Sequence, residues 1–529
     1  MSLVSFTFLL FILATLVLYF AVPLRYRWGV LLAMSLVFYL LSSKVMIVVL
    51  LAVSAVTYFT ALRIHAVTET AKRQAKEQDG ALSKEEKKAL KAQAKKKAGR
   101  ILLLGVCLDL GTLLLLKYGN FFGSMFTPFV KLPTLKILLP IGLSFYTLQA
   151  LAYMIDVYRG KIRPDRSFLK FLLFMSYFPQ IIQGPIPRHS QLAAQLYEGH
   201  TYDYGRLTRG AQLMLWGYMK KTIIADRIAV PVAQIFDKYQ SFPAPFLLLG
   251  GALYGLQIYT DFSGGMDIIR GFSQMIGIEL ELNFNQPYFS RSVEEFWRRW
   301  HITLGSWMRD YIFYPLSLSK AFTNLGKKAR KVAGAGFGKK LPAFISMFVV
   351  YLLVGFWHGP EWKYIGYGIW NGLFIMTGIM LADFYERMHA ATHIPAQSRG
   401  WKVFQMLRTF LICSLGRFFP RAENLRVALA MLAGVFTKWR PVAMELVVTG
   451  KKRKILGLLA QEWWVAILFA VILFIVGCVH EKGISIREKI AAKPVVLRWC
   501  IYLAAVFCVM ILGIYGPSDN GAAFIYGQF

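Results

Sequence analysis

The feature that most restricts how this chain can fold is a succession of apolar stretches separated by loops rich in Lys and Arg. Leu3 to Val22, Ile101 to Leu116 and Val496 to Ile514 are examples. Stretches of this kind approach the roughly 20 residues that a helix needs to cross a bilayer. With 56% hydrophobic residues over 529 positions, the chain reads as an all-α polytopic membrane protein and not as a soluble enzyme. We expect roughly ten to twelve membrane-embedded helices, some too short or too polar to span alone. Leu3 to Val22 lacks the short apolar core and small-residue cleavage site of a removed signal, so it is expected to stay as the first helix.

The formal net charge of +33 could point to nucleic acid, but much of it sits in loops beside apolar segments. That is the positive-inside pattern, with anionic lipid headgroups as counter-charge and no nucleic acid partner. Arg25 and Arg27 place the first turn in the cytoplasm and the N-terminus outside. Trp28 to Leu41 and Val45 to Leu62 then form a hairpin that returns to the cytoplasm. There a basic insert at about 63–100 carries, between Lys72 and Arg100, eleven Lys/Arg against four acids, with Ala, Gln and Glu between. Such a stretch is solvated and helix-prone. Simple alternation puts Lys451 to Lys454 outside, against the charge rule, and that conflict stands. The five cysteines lie mostly in apolar runs without paired spacing and read as packing residues. No separate soluble domain is apparent, so residues 1–529 are taken as one membrane domain.

Two segments are broken. FLKFLLFMSYFPQIIQGPIPRH is interrupted by Pro179, Pro185 and Pro187, which remove backbone donors and predict a kinked or re-entrant element lining a cavity. In TDFSGGMDIIRGFSQMIGI, Asp261, Asp267 and Arg270 fall among apolar residues. Asp261 either belongs to a polar site or caps a helix opening at Phe262.

Chemistry concentrates in Tyr288 to Tyr314 and in Phe344 to Pro360, with one histidine each, His301 and His358. At helical spacing Arg298, His301, Gly305 and Arg309 share one face, and Trp300, Leu304, Trp307 and Tyr311 another. His358 ends an uncharged apolar run, where an ionisable side chain is costly and functional by default. A neutral imidazole there can take a proton from a hydroxyl group and return it to a leaving group. Either histidine can equally be a hydrogen-bonded interior residue. Arg298, Arg299 and Arg309 can balance phosphate or carboxylate, or else snorkel to headgroups. Glu294, Glu295 and Asp310 are expected to pair with these arginines. No GxSxG elbow occurs, GAGFGKK lacks the Walker A spacing, and His389 with His393 in HAATH lacks the HExxH glutamate and a third ligand, so no metal site is assigned.

FWRRWHITLGSWMRDYIFYPL and VGFWHGPEWKYIGYGIWNG resemble the two signature blocks of the membrane-bound O-acyltransferase family, in particular its bacterial alginate O-acetyltransferase branch. The resemblance extends to LPIGLSFYTLQALAYMIDVYRG, FPQIIQGPIPR, YTDFSGGMDIIRG, NFNQPYFSRS, FFPRAENL and the closing FIYGQF. It implies a ring of helices around a central funnel, His358 as the essential histidine and His301 at the second, histidine or asparagine, position. It also implies acetyl-CoA or another acyl thioester as a cytosolic co-substrate, with no permanently bound cofactor. The acyl group would pass outward to a secreted or membrane-anchored serine-hydrolase-like partner that esterifies an extracellular polysaccharide. Trp300, Ser306, Asp310, Trp357, Asp261 and Asn371 join the three arginines as candidate substrate- or donor-binding residues, and the expected location is the bacterial inner membrane.

The chain departs from the family pattern at Asn371, often histidine, at Gly265, often tyrosine, and at Gly527 in the tail. GFWHGPEWKYIGYG also resembles the D-alanyl-teichoic acid branch, whose donor is an acylated carrier protein. From outside the family, a transporter or flippase of lipid-linked sugars would use the same buried charges along a conduction path. A membrane scaffold for a secreted partner would tolerate loss of both histidines.

Overall fold

The computed structural model describes residues 1–78, 82–126, 138–181, 183–393, 395, 397–450 and 453–515. The closing FIYGQF block, the tail from Pro517, and Lys451 with Lys452 lie outside the described residues. The chain divides into two compact units. One holds Ser5–Thr208 with Phe272–Glu281, the other Arg209–Gly271 with the chain from Leu282 onward.

In the first unit the apolar runs become helices bounded by local signals. Ser5 caps Phe6–Ala21 by accepting from the Phe8 N–H. Arg27–Ser43 gives way at Lys44, which takes a left-handed φ of 48°, to Ile47–Glu77. The charged insert continues the helices instead of interrupting them. Ile47–Glu77 carries its first part, and Lys84–Leu113 opens on a capping box in which Ser83 Oγ accepts from Glu86 N–H while the Glu86 carboxylate accepts from Ser83 N–H. The helix-prone reading of Lys72 to Arg100 therefore holds over its described residues. The proline-rich segment breaks as expected: helix Phe168–Ser176 stops at Tyr177, a single turn Phe178–Ile181 follows, and an extended stretch leads to helix His189–Tyr197. Its aromatic side chains Phe171, Phe174, Tyr177 and Phe178 are buried.

The second unit is built on helix Ala244–Met275, 32 residues long, up to Gly271. It runs through Asp261 and Phe262 without a start there, so the capping reading of Asp261 is corrected. The carboxylate instead accepts from Lys221 Nζ at 2.7 Å, and an ion pair compensates the cost of a charge inside the helix packing. Lys220 and Lys221 are buried on a π-helical stretch Met219–Ala225, and each meets an acid: Asp267 for Lys220, Asp226 and Asp261 for Lys221. Helices Ala335–His358, Trp362–Met380, Arg399–Gly416, Ala460–Glu481 and Val495–Leu512 complete the unit's longer elements.

The protein is a multi-pass, helical membrane protein. Among the described residues, five segments are long and apolar enough to cross a bilayer: Leu24–Glu77, Lys84–Phe126, Ala335–His358, Ala460–Glu481 and Val495–Leu512. A sixth is added if Trp362–Met380 and the bent continuation Phe384–Thr392 count as one. Phe6–Ala21 and Leu425–Thr437 are apolar but shorter. The sequence expectation was ten to twelve embedded helices; among the described residues five, or six, have the length and apolarity to cross alone. The one departure from helix among the described residues with regular pairing is a two-stranded hairpin, Val448–Thr449 with Lys454–Ile455.

Candidate active site

Both histidines belong to the second unit, and each is placed by a helix end. Helix Ala335–His358 stops on its histidine because Gly359 and Pro360 follow, and the residue before a proline is turned away from helical geometry. The chain returns through Trp362–Met380, and the two helices touch backbone to backbone. A Cβ on Gly355 would lie 2.3 Å from the Tyr364 carbonyl oxygen, and one on Gly368 would lie 2.4 Å from the Tyr351 carbonyl oxygen. These two glycines let the turn close and bring Tyr364 and Tyr367 beside His358, with ring centroids 6.5 and 5.7 Å from the imidazole.

His301 is held differently from what periodicity predicts. Helix Val293–Arg299, capped by Ser292, ends at Trp300, which takes an extended conformation and pairs as an antiparallel bridge with Phe284. His301 follows with φ 47° in the left-handed region, and helix Ile302–Met308 starts after it. A left-handed non-glycine residue costs on the order of 1–3 kcal/mol and is found where surrounding contacts impose it. Here the imposing residue is Asn283. Its carbonyl accepts from Ile302 N–H at 3.1 Å, and its side-chain Oδ1 accepts from both Thr303 N–H at 3.0 Å and Thr303 Oγ1–H at 2.9 Å.

The outcome is that the two imidazoles pack against one indole. The Trp357 ring lies 5.8 Å from His301 and 5.2 Å from His358, edge-on to each. Phe262 closes the far side of His301 at 5.0 Å. His301 is 1% exposed and His358 5%. Burial, and secondarily the neighbouring His358, push the His301 imidazole down to about 3, so it is neutral at ordinary pH.

Of the other candidates, Trp300 and Asn371 join this cluster. Trp300 stacks on Phe296 at 5.4 Å and stands edge-on to Phe284 at 5.0 Å. Asn371 accepts from Trp297 Nε1–H at 3.0 Å, and Trp297 in turn lies 6.3 Å from Tyr367. The charged residues do not join it. Because the chain breaks at Trp300, Arg298, His301, Gly305 and Arg309 do not share one helical face, and the expected cationic stripe is corrected. Arg298 is exposed and pairs with Glu294 at 2.8 Å; Arg299 pairs with Glu295 at 2.9 Å and with Glu481; Arg309 pairs with Asp310 at 3.1 Å. These pairings are the ones expected of Glu294, Glu295 and Asp310. Ser306 donates to the Thr303 carbonyl at 2.9 Å, and Asp261 is turned to Lys221. In HAATH, helix Ala382–Thr392 ends before His393, which is left-handed, so the two imidazoles do not share a helical face either.

Sequence reasoning missed three residues near the histidines. Asn283 lies in the NFNQPYFSRS block and is a buried amide, a signal in itself. Phe262 and Tyr367 carried no signal beyond aromaticity. A cavity of about 700 Å³ shares Asn283, Phe284 and Tyr259 with the surroundings of His301, yet neither histidine lines it.

Residues 160–419, which include both histidine turns, match the family described as MBOAT, membrane-bound O-acyltransferase family. A protein named "Probable alginate O-acetylase" from Azotobacter vinelandii is 34% identical over 427 residues, covering 79% of this chain and 74% of that protein. The chain belongs to the membrane-bound O-acyltransferase family. Membership makes it an acyltransferase. Two further relatives show how widely these acyltransferases differ in acceptor. The Helicobacter pylori peptidoglycan O-acetyltransferase is 31% identical over 63% of this chain and 64% of its own length. The Streptococcus thermophilus teichoic acid D-alanyltransferase is 27% identical over 50% of this chain and 61% of its own.

Proposed function

We propose that this chain moves an acetyl group from a cytosolic thioester, acetyl-CoA, across the bacterial inner membrane toward hydroxyls of an extracellular polysaccharide, with a secreted or membrane-anchored serine-hydrolase-like partner as the final esterifying enzyme. The observation that carries the reading is the placement of His301 and His358 against the one Trp357 indole. A general base must lie within reach of the proton it abstracts, and an imidazole can accept that proton and later return it. In this scheme His358 takes the proton from the acceptor hydroxyl as its oxygen attacks the thioester carbonyl. The C–S bond breaks, and the thiolate leaves and takes up a proton. Neutral His301 positions the donor or polarises its carbonyl. The acetylase and acetyltransferase relatives support acetyl as the group and a surface glycan as the acceptor.

The test uses purified full-length protein in proteoliposomes with acetyl-labelled CoA. His358→Ala is expected to lower thioester cleavage by about 10²–10⁴-fold, the usual contribution of a general base. Wild-type cleavage by a folded His358→Ala protein would end the assignment. D-alanyl transfer from a carrier protein is the second reading, favoured by the teichoic acid relative, and is recognised by activity with the acylated carrier and none with acetyl-CoA. The transporter and scaffold readings both predict that no thioester is cleaved.

A further inference from the structure

The cavity of about 700 Å³ is separate from the histidine pair, and its lining changes chemistry along its length. Helix Ala460–Glu481 contributes Phe469, Leu473 and Val476 and then, near its end, His480. At 1.5 Å per residue, Phe469 and His480 stand about 16 Å apart along the axis. The His480 end is polar. Lys220 Nζ lies 2.6 Å from Asp267 and donates to Ser263 Oγ at 2.9 Å; Arg270 lies 3.8 Å from the same carboxylate; Gln286 meets His480 Nδ1 at 3.3 Å; and Arg487, on the short helix Ile486–Ala491, enters with Nη1 donating to the Arg209 carbonyl at 3.2 Å. Asp267, Lys220 and Arg487 all lie within electrostatic reach of His480. Three cations and one carboxylate therefore line this end, a surplus of positive charge that suits an anion. The Phe469 end of that helix is apolar, with Phe469, Ile472 and Leu473 on the cavity wall. The two helices beside it turn Leu468, Ile475, Leu503 and Phe507 outward, as side chains bathed in hydrocarbon do.

We propose that this cavity holds one anionic phospholipid, its phosphate among Lys220, Arg270 and Arg487 and an acyl chain along Phe469, Ile472 and Leu473. A small inorganic anion would satisfy the polar end and leave the apolar end unfilled. A lipid fits both, because headgroup and chain are spaced along the membrane normal in the order the cavity presents. The site also touches the chemistry. Asn283 to Gln286 line it, and Asn283 is the residue that clamps the His301 turn. A bound lipid braces that segment, so losing it lowers turnover and leaves the donor KM unchanged.

The experiment is native mass spectrometry of the full-length protein released from nanodiscs. One set contains phosphatidylethanolamine alone, and another contains added phosphatidylglycerol. Two variants act on opposite ends: Leu473→Trp fills the apolar end, and Arg270→Gln with Arg487→Gln removes headgroup charge. Wild type is expected to keep one phosphatidylglycerol through detergent exchange, and each folded variant to lose retention about tenfold or more. Equal retention in all three proteins, equal retention of phosphatidylethanolamine, or displacement of the lipid by added coenzyme A would overturn the proposal. His358→Ala should retain the lipid as wild type does, which separates failure here from failure of the catalytic assignment.

Discussion

A histidine in the left-handed region needs something to keep it there, and for His301 that is the amide of Asn283. Replacing it by alanine removes the two hydrogen bonds its Oδ1 accepts from Thr303 and leaves those donors buried. Asn283→Ala should destabilise the protein by about 1–3 kcal/mol and cut acyl transfer more than tenfold through a misplaced His301. The pair of measurements is a thermal midpoint and a transfer rate on the same preparation; a stability loss with full activity would dissociate Asn283 from the site. The depressed His301 pKa makes a second, signed prediction. In the unfolded chain this imidazole takes up a proton below its ordinary value of 6.5, while in the folded protein it resists until about 3. The unfolded state then binds more protons through that window, so His301 reduces stability as pH falls below about 6.5. His301→Asn should show a smaller drop in thermal midpoint between about pH 7 and pH 5 than wild type. His358 stood out in the sequence as an ionisable group ending an apolar run, and His301 through the signature block that carries it. The pairing of Glu294 and Glu295 with Arg298 and Arg299 was legible too, being i,i+4 on one helix. The shared face of Arg298, His301, Gly305 and Arg309 was misread, since helical spacing was carried straight through Trp300, whose pairing with Phe284 is one no local pattern announces.

Elements set how tightly the histidine turns close. The contact between Ala335–His358 and Trp362–Met380 depends on bare backbone at Gly355 and Gly368. Gly355→Val drives a side chain toward the Tyr364 carbonyl, which cannot swing aside as a side chain can. The helices must separate, at a cost of about 1–3 kcal/mol, and His358 at the end of the same helix moves with them. Gly378→Ala, in the partner helix but with nothing within 4 Å, is the matched control and should leave both stability and transfer unchanged. Equal behaviour of the two variants would remove the close approach from the account. At this scale the sequence was informative where one signal dominates, as with the prolines that break Phe168 to Arg188 and the caps that open the helices. It was misleading at Asp261, which local propensity read as a possible helix start. The lysine that neutralises it comes 40 residues earlier, on a π-helical stretch that periodicity does not reveal.

For the whole molecule, the apolar runs established the class, and the basic loops carry the information on sidedness. The helices Ile47–Glu77 and Lys84–Leu113 hold that information in its densest form, because their facing ends bear most of the Lys72 to Arg100 charge. Transferring so many cations across the bilayer against the membrane potential is opposed at about 2.3 kcal/mol per charge per 100 mV. The predicted orientation therefore keeps the insert in the cytosol and, by alternation, the N-terminus outside. Lys91 is exposed on this insert and suits a reporter. With the five native cysteines replaced, Lys91→Cys should react with a membrane-impermeant maleimide in inside-out vesicles and stay unlabelled in intact spheroplasts. Labelling from the outside would invert the orientation, and with it the direction in which a cytosolic donor could deliver its acyl group to a surface polysaccharide.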